Sequence, residues 1–508
     1  MAFTLHNCLT DAPVSDFSAI QGQEGSFYVI AETFCMYSVT AVLLLASASG
    51  CSVKTDNTAS ADPLTITVWT YYNGDQLELF NKLVSEFNDT TGRSLGITVE
   101  SSSQGTVNDL ETNVLASANG EVGASDMPNI FSAYADTAYT LDQMGLVMDL
   151  SDYFTKEERL AYIDNYLDEG DFSGDGNIKI FPVAKSTELL FLNDTDWRAF
   201  SDATGASYED LSTIEGLVST AETYYNWTDE QTPEKNDGRA LFGRDAMANY
   251  LLLGAKQLGS PIFNTENGKM SLNFDKEVMR KLWDNYYVPY IKGYFSASGR
   301  FRSDDIKTGN IIGYVGSTSS ATFFPTQVSL TDSESYDIAL KVLPCPKFAD
   351  GENYAVQQGA GMVVTKTEDD ATVKACVEFL KWFTAPEHNI SFCAGSGYLP
   401  VTKKANNMDT IRKSTASLSA SMDSILTVAV DSVNSNQMYT TKAFDRGNDA
   451  RQILSYGLSD LAAADRQTVE ERLSGGQSLE DAAAEFLTDD YFEAWYQDTL
   501  KQLQAFEG

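Results

Sequence analysis

The chain of 508 residues carries 72 Asp plus Glu against 35 Lys plus Arg, a formal charge of −37, which argues against a nucleic-acid partner. Its length exceeds what one hydrophobic core supports, and 43% apolar with 11% aromatic residues suits a globular protein of two or three folding units.

The first 50 residues read as a leader. Val39 to Ala48, centred on Leu43, Leu44 and Leu45, is too short to cross a bilayer and has the character of a signal h-region. Ala48-Ser-Gly-Cys51 resembles the lipobox of bacterial lipoproteins, which implies a lipid on Cys51 and attachment to the outer face of the cell membrane. Ala48 stands where that motif usually has Leu. Residues 1–50 also contain no Lys or Arg, so a misassigned start upstream of a genuine h-region is expected. Residues 51–63 are polar and small, the composition of a flexible tether. Cys8 and Cys35 leave with the leader. The remaining Cys345, Cys376 and Cys393 have no metal-ligand spacing, and both a Cys376–Cys393 bridge and buried free thiols fit them.

From Leu64 the pattern alternates. Leu64, Ile66 and Val68 predict a strand, and Leu77, Phe80, Val84 and Phe87 predict a helix. Ile97 and Val99 predict a second strand, Leu110, Val114 and Ala118 a second helix, and Ile130-Phe131 a third strand. Strands alternating with helices imply an α/β fold with a mostly parallel sheet. Ligands of such sheets bind beyond the carboxyl ends of the strands, which points to the Tyr71-Tyr72-Asn73 and Ser132-to-Asp136 turns. Ile178 to Val183, Leu189 to Leu192 and Ile311 to Val315 read as further strands, the last running into Gly316-Ser317-Thr318-Ser319-Ser320. A helix over Val373, Cys376, Val377, Leu380 and Phe383 stops before Pro386, and the rest of the chain is helix-rich.

The order of Leu64-Thr-Ile-Thr-Val-Trp69, Met127-Pro-Asn-Ile-Phe131, Gly145-Leu-Val-Met-Asp-Leu150, Ile178-Lys-Ile-Phe-Pro-Val183, Leu190-Phe-Leu-Asn193, Leu343-Pro344, Gly359-Ala-Gly361, Phe379-Leu-Lys-Trp382 and Gly397-Tyr-Leu-Pro-Val401 resembles the family 1 extracellular solute-binding proteins. These are the maltose-binding-protein-like receptors of sugar ABC importers. The resemblance implies a type II periplasmic-binding-protein-like fold of two lobes, each a mostly parallel sheet flanked by helices, joined by crossover strands. It places lobe 1 at 64–183 with 344–388 and lobe 2 at 188–340 with 393–508. It also implies a non-catalytic monomer without cofactor, which holds a carbohydrate between the lobes and delivers it to membrane permease subunits.

A sugar offers an apolar CH face and a fringe of hydroxyls, so its site needs flat aromatics and short polar groups in a concave wall. By resemblance, Tyr71, Tyr72, Asn73, Tyr134 and Asp136 supply the first lobe's share. Lys185, Ser186, Thr187 and Glu188 supply the crossover's share, with Lys185 able to meet the carboxylate of an acidic sugar. Tyr314, Ser317, Thr318, Ser319, Gln357, Gln358, Gly361, Tyr398 and Tyr439 supply the rest. Trp69 and Trp382 read as core.

Three motifs mislead. Leu473-Ser-Gly-Gly-Gln477 spells the ABC ATPase signature, but no GxxxxGK[ST] phosphate loop accompanies it, and Ser478 reads as the cap of a following helix. Gly92-Arg-Ser-Leu-Gly96 matches the GxSxG elbow but lies between a helix and a strand, the reverse of what a nucleophile needs. Asp171 to Gly176 begins like a calcium loop, yet Pro182 stands at the twelfth place where a bidentate Glu is required, so a tight turn is expected. The rival functions are a surface glycosidase or lyase and a receptor for a non-sugar solute. A metal ligand is disfavoured, since His388 is the one histidine beyond the leader.

Overall fold

The computed structural model describes residues 63–507 except Asn267, Asp332 and Ser417, so the leader, Cys51 and the tether through residue 62 lie outside the described residues. Strand β1 (Leu64–Thr70) turns Ile66, Val68 and Thr70 into the core, as the two-residue period of a strand requires. Helix α1 (Gly74–Phe87) then buries Phe80, Leu83, Val84 and Phe87 as one stripe. β2 (Ile97–Ser103) returns parallel to β1. Helix α2 (Val107–Ala118) opens on a capping box in which Thr106 and Asp109 satisfy each other's backbone N–H groups. β3 (Ile130–Ala133) pairs parallel with β1 on its other side and leads into α3 (Ala135–Gln143).

The expected strand over Ile178–Val183 is absent. Phe181 makes an isolated bridge to Met362, and Pro182, with no N–H to give, ends the ladder there. The chain crosses through Lys185, Ser186 and Thr187 into β4 (Glu188–Asn193), all of whose residues are buried. β5 (Phe242–Arg244), α4 (Met247–Gln257), β6 (Gly313–Ser317) and β7 (Leu340–Pro344) follow. β8 (Gly361–Val364) returns to the first sheet, followed by helices α5 (Asp370–Thr384), α6 (Pro386–Ser396), α7 (Ala420–Ser435) and α8 (Gly447–Ser474).

Two four-stranded sheets result, ordered β8-β3-β1-β2 and β7-β4-β6-β5. The first is parallel apart from β8. The second departs from expectation, because β4 runs antiparallel to both β7 and β6 and only β5 and β6 are parallel. Both crossovers enter this sheet side by side, one outgoing in β4 and one returning in β7, which fixes opposite directions.

One apolar cluster, with Leu110, Phe131, Ala138 and Leu141, backs the cleft side of the first lobe. A second, with Trp197, Trp283, Leu251 and Leu454, fills the second lobe. A third surrounds α1 and α5 and continues under the crossovers to Leu189, Phe191 and Tyr314. The expected return to lobe 2 at residue 393 comes later. α6 packs on α1, and Cys393, Tyr398, Leu399 and Ile411 join the cluster around α1 and α5, held there by Asn389, whose side chain bonds the Val183 carbonyl and the Val401 amide. α7 packs on β7, and α8 packs on α4 in the second lobe.

Cys376 and Cys393 are buried free thiols. Trp69 is half-buried against the first lobe's smaller cluster, and Trp382 is half-buried with His388 stacked on it at 3.7 Å. Ser478 caps the helix after the ATPase-like pentapeptide by accepting from the Asp481 amide. Arg93–Leu95, within the GxSxG match, is a short helical turn before β2. The Asp171 carboxylate accepts from the amides of Gly174, Asp175 and Gly176, so it closes a tight turn upon itself. Among the described residues, no helix is long and apolar enough to cross a membrane.

Candidate ligand-binding cleft

A cavity of about 260 Å³ lies between the lobes. The first lobe contributes Glu111 from α2 and Tyr134, Asp136 and Thr137 from the end of β3 and the start of α3. The second lobe contributes Asn249, Leu252 and Leu253 from α4, with Asn448 and Arg451 from α8. Gln357, Gln358 and Tyr439 close the base, and a side chamber of about 210 Å³ continues past Glu169, Gln357 and Tyr439 towards Asp168 and Lys442.

The base is a set of buried ion pairs whose hydrogen-bonding capacity is largely used. Lys185 Nζ donates to Glu169 Oε2 at 2.5 Å and to the Gly359 carbonyl at 2.7 Å, and Gln357 Nε2 donates to the same Glu169 oxygen at 2.6 Å. Glu188 accepts from Arg244 Nη1 at 2.9 Å, Asn249 Nδ2 at 2.7 Å and Gln358 Nε2 at 3.4 Å. Asn249 in turn accepts from Arg451 through its Oδ1, which aims the guanidinium along the cavity wall. Burial without such partners would cost several kcal/mol per charge, so these contacts are what permit four ions at the waist.

The cavity face differs in character. Tyr134 is 38% exposed, a flat ring available to a guest. Burial raises its hydroxyl pKa, against the pull of Arg451. Tyr439 is half-buried and its hydroxyl is pushed up to about 12 by burial, then by Tyr354. Asp136 is raised to about 6, chiefly by burial. Arg451 and the Phe444 N–H pull it down, while Glu111 and Glu169 push it up.

Of the residues singled out from the sequence, Tyr134, Asp136, Gln357, Gln358 and Tyr439 line this cavity. The others lie elsewhere. Lys185 is fully buried and committed to Glu169, so it cannot meet an acidic sugar, and Ser186, Thr187 and Glu188 are equally enclosed. Tyr72 is 1% exposed and packs on Phe80, Phe392 and Tyr398. Tyr71 and Tyr398 share a hydroxyl contact of 3.0 Å, and Asn73 ties the Tyr71 and Gly105 carbonyls together. Tyr314 is fully buried and lies parallel to Phe324, with its hydroxyl unpartnered. Ser317 and Ser319 bond each other at 2.9 Å, and Thr318 is buried with its amide on the Thr187 carbonyl. Gly361 lies inside the first sheet, where a side chain would overlap Ile180, so it serves strand packing.

Sequence reasoning missed Glu111, Glu169, Asn249, Asn448 and Arg451. One signal was available: Asn249 is a lone amide in the apolar run Met247–Ala255. A larger hollow of about 480 Å³ is lined wholly by second-lobe residues. Its Arg466 is engaged by the Ile291 carbonyl and Glu470, and its lining comes from one lobe alone.

Residues 82–418 match the model of the bacterial extracellular solute-binding protein family. No curated protein matches the chain. Among solved structures, the fold is similar to UgpB of Mycobacterium tuberculosis in complex with glycerophosphocholine, at 18% identity and TM-score 0.62 over 88% of this chain and 98% of that one. It is also similar to the GacH receptor of Streptomyces glaucescens, solved unliganded and with acarbose, at 14% identity and TM-score 0.61 over 88% and 100%. A third is the cyclic alpha-maltosyl-1,6-maltose binding protein of Arthrobacter globiformis, at 17% identity and TM-score 0.59 over 87% and 100%. With a family model matched over residues 82–418, more than half of its length, the chain belongs to the bacterial extracellular solute-binding proteins.

Proposed function

We propose that the chain reversibly holds a carbohydrate in the inter-lobe cleft, outside the cytoplasm, and passes it unaltered to the membrane permease of an ABC importer. The observation that carries this is a cavity of about 260 Å³ with an exposed Tyr134 ring on one lobe, an Arg451 oriented by Asn249 on the other and the amide side chains of Gln357 and Gln358 at its base. Aromatic faces receive the CH face of a sugar ring, and guanidinium and amide groups meet its hydroxyls. The side chamber leaves room for a guest larger than one ring. The acarbose-bound and cyclic-maltosyl-maltose-binding neighbours support the sugar assignment by likeness of fold. A lipid on Cys51 would tether a monomer to the membrane.

The test is a thermal-shift screen of mono- and oligosaccharides, with glycerophosphocholine as the non-sugar arm and chromatography of each mixture. A guest that binds only the folded form raises the melting temperature. At least one carbohydrate is expected to do so and to be recovered intact. Product formation would favour an enzyme, and a shift with glycerophosphocholine alone would favour a non-sugar receptor.

A further inference from the structure

Two contacts bridge the lobes at the mouth of the cleft, and both match a side chain on α3 with a glycine on the second lobe. A side chain at Gly447, the first residue of α8, would overlap the Asp136 carboxylate. Gly268, in the turn of the 263–272 hairpin, abuts the Tyr139 hydroxyl in the same manner and holds φ at +73°. Asp136 and Tyr139 are three residues apart on α3 and so lie on one face of it. Glu111 adds a third contact, accepting from Asn448 Nδ2 at 3.2 Å while also accepting from Thr137. The residue before α8, Arg446, sits in the left-handed region at φ 57°, a conformation that disfavours any residue but glycine and persists where the surroundings impose it. The start of α8 is thus held against α3, with Asp136 and Glu111 against its first turn.

We propose that Asp136 and Tyr139, received by Gly447 and Gly268, form a clasp that fixes how far the cleft closes and thereby sets the affinity for its guest. The link to affinity rests on the binding function proposed above, whereas the clasp itself is a property of the two lobes. Gly268, Gly447 and Tyr139 do not line the cavity, so they act on the guest only through closure. They are positioning residues.

Amide hydrogen exchange of the unliganded chain reads the clasp directly, because each variant is scored at the contact it does not touch. Gly447→Ala suits a helical first turn and leaves the second lobe's melting temperature equal or higher. It is expected to speed exchange in the Gly268 turn roughly fivefold or more, since one forced opening releases both contacts. Tyr139→Phe keeps the ring against Phe172 and is expected to speed exchange at the start of α8. A folded variant with unchanged exchange at the opposite contact overturns the clasp and leaves the binding function standing. Coupled exchange in a chain that no carbohydrate stabilises supports the clasp and removes the carbohydrate function.

Discussion

The waist and the mouth of the cleft are built on opposite principles. At the waist, Lys185 with Glu169 and Arg244 with Glu188 are almost wholly buried ion pairs, the first extended by Gln357 and the second by Asn249 and Gln358. At the mouth, half-buried carboxylates and a tyrosine meet glycines and a helix start across a gap that must open to admit a guest. The first pair holds the crossover to the chain before it and the second holds β4 to β5, so together they fix the base of the cavity, because separating such pairs is costly. The mouth is joined by a side-chain hydrogen bond and glycine contacts rather than by buried ion pairs. A receptor needs both, since a waist that yields loses the register of Arg451 and a mouth that never parts cannot exchange solute.

The largest expected effect tests the waist. Glu188→Ala strands the buried Arg244 guanidinium and frees Asn249, and should cost about 3–5 kcal/mol of stability in chemical denaturation. A cost below about 1 kcal/mol would show the pair to be dispensable. Next come two tyrosines from neighbouring strand ends. Tyr72→Ala removes a ring from an aromatic core and should cost about 3–5 kcal/mol of stability. Tyr134→Ala should cost under about 1 kcal/mol of stability while weakening sugar binding by up to roughly tenfold, read by calorimetric titration.

At the wall between them, Arg451→Ala should weaken sugar binding by about 1.5–3 kcal/mol, the range for a hydrogen bond to a charged group, with little change in melting temperature. The smallest effect belongs to the mouth and is one of pH. The Asp136 carboxyl is raised to about 6 from its usual 3.8, so an opening that returned it to water would release a proton. The groups facing it are Arg451, Glu111 and Glu169. Closure and affinity should therefore be strongest below about pH 4 and decline as pH rises through 6, and Asp136→Asn should flatten that slope.

The same contrast explains what the sequence made legible. The first lobe's strand, helix and strand could be read because Ile66, Val68, Phe80 and Val84 repeat at the periods of the elements that bury them. The Tyr134 and Asp136 turn could be read because strand ends in α/β sheets face the ligand. Tyr72 could have been assigned correctly too. Ile66, Val68, Thr70 and Tyr72 are all buried, so the even positions of β1 keep facing the core beyond the strand's end. The waist could not be read. Lys185 and Glu169 lie 16 residues apart and Glu188 and Arg244 lie 56 apart, paired by the fold with no helical or strand spacing to announce them. Arg451 was hidden for the same reason, as one charge in a long polar helix, oriented by Asn249 from a distant part of the chain.

The most direct measurement is a crystal structure of the chain with the carbohydrate that most raises its melting temperature. The expected result is a sugar ring against Tyr134 or Tyr439 with hydroxyls on Arg451, Gln357 or Gln358. A sugar seated instead in the second-lobe hollow beside Arg239 and Arg466, with the inter-lobe cleft unused, would contradict the account.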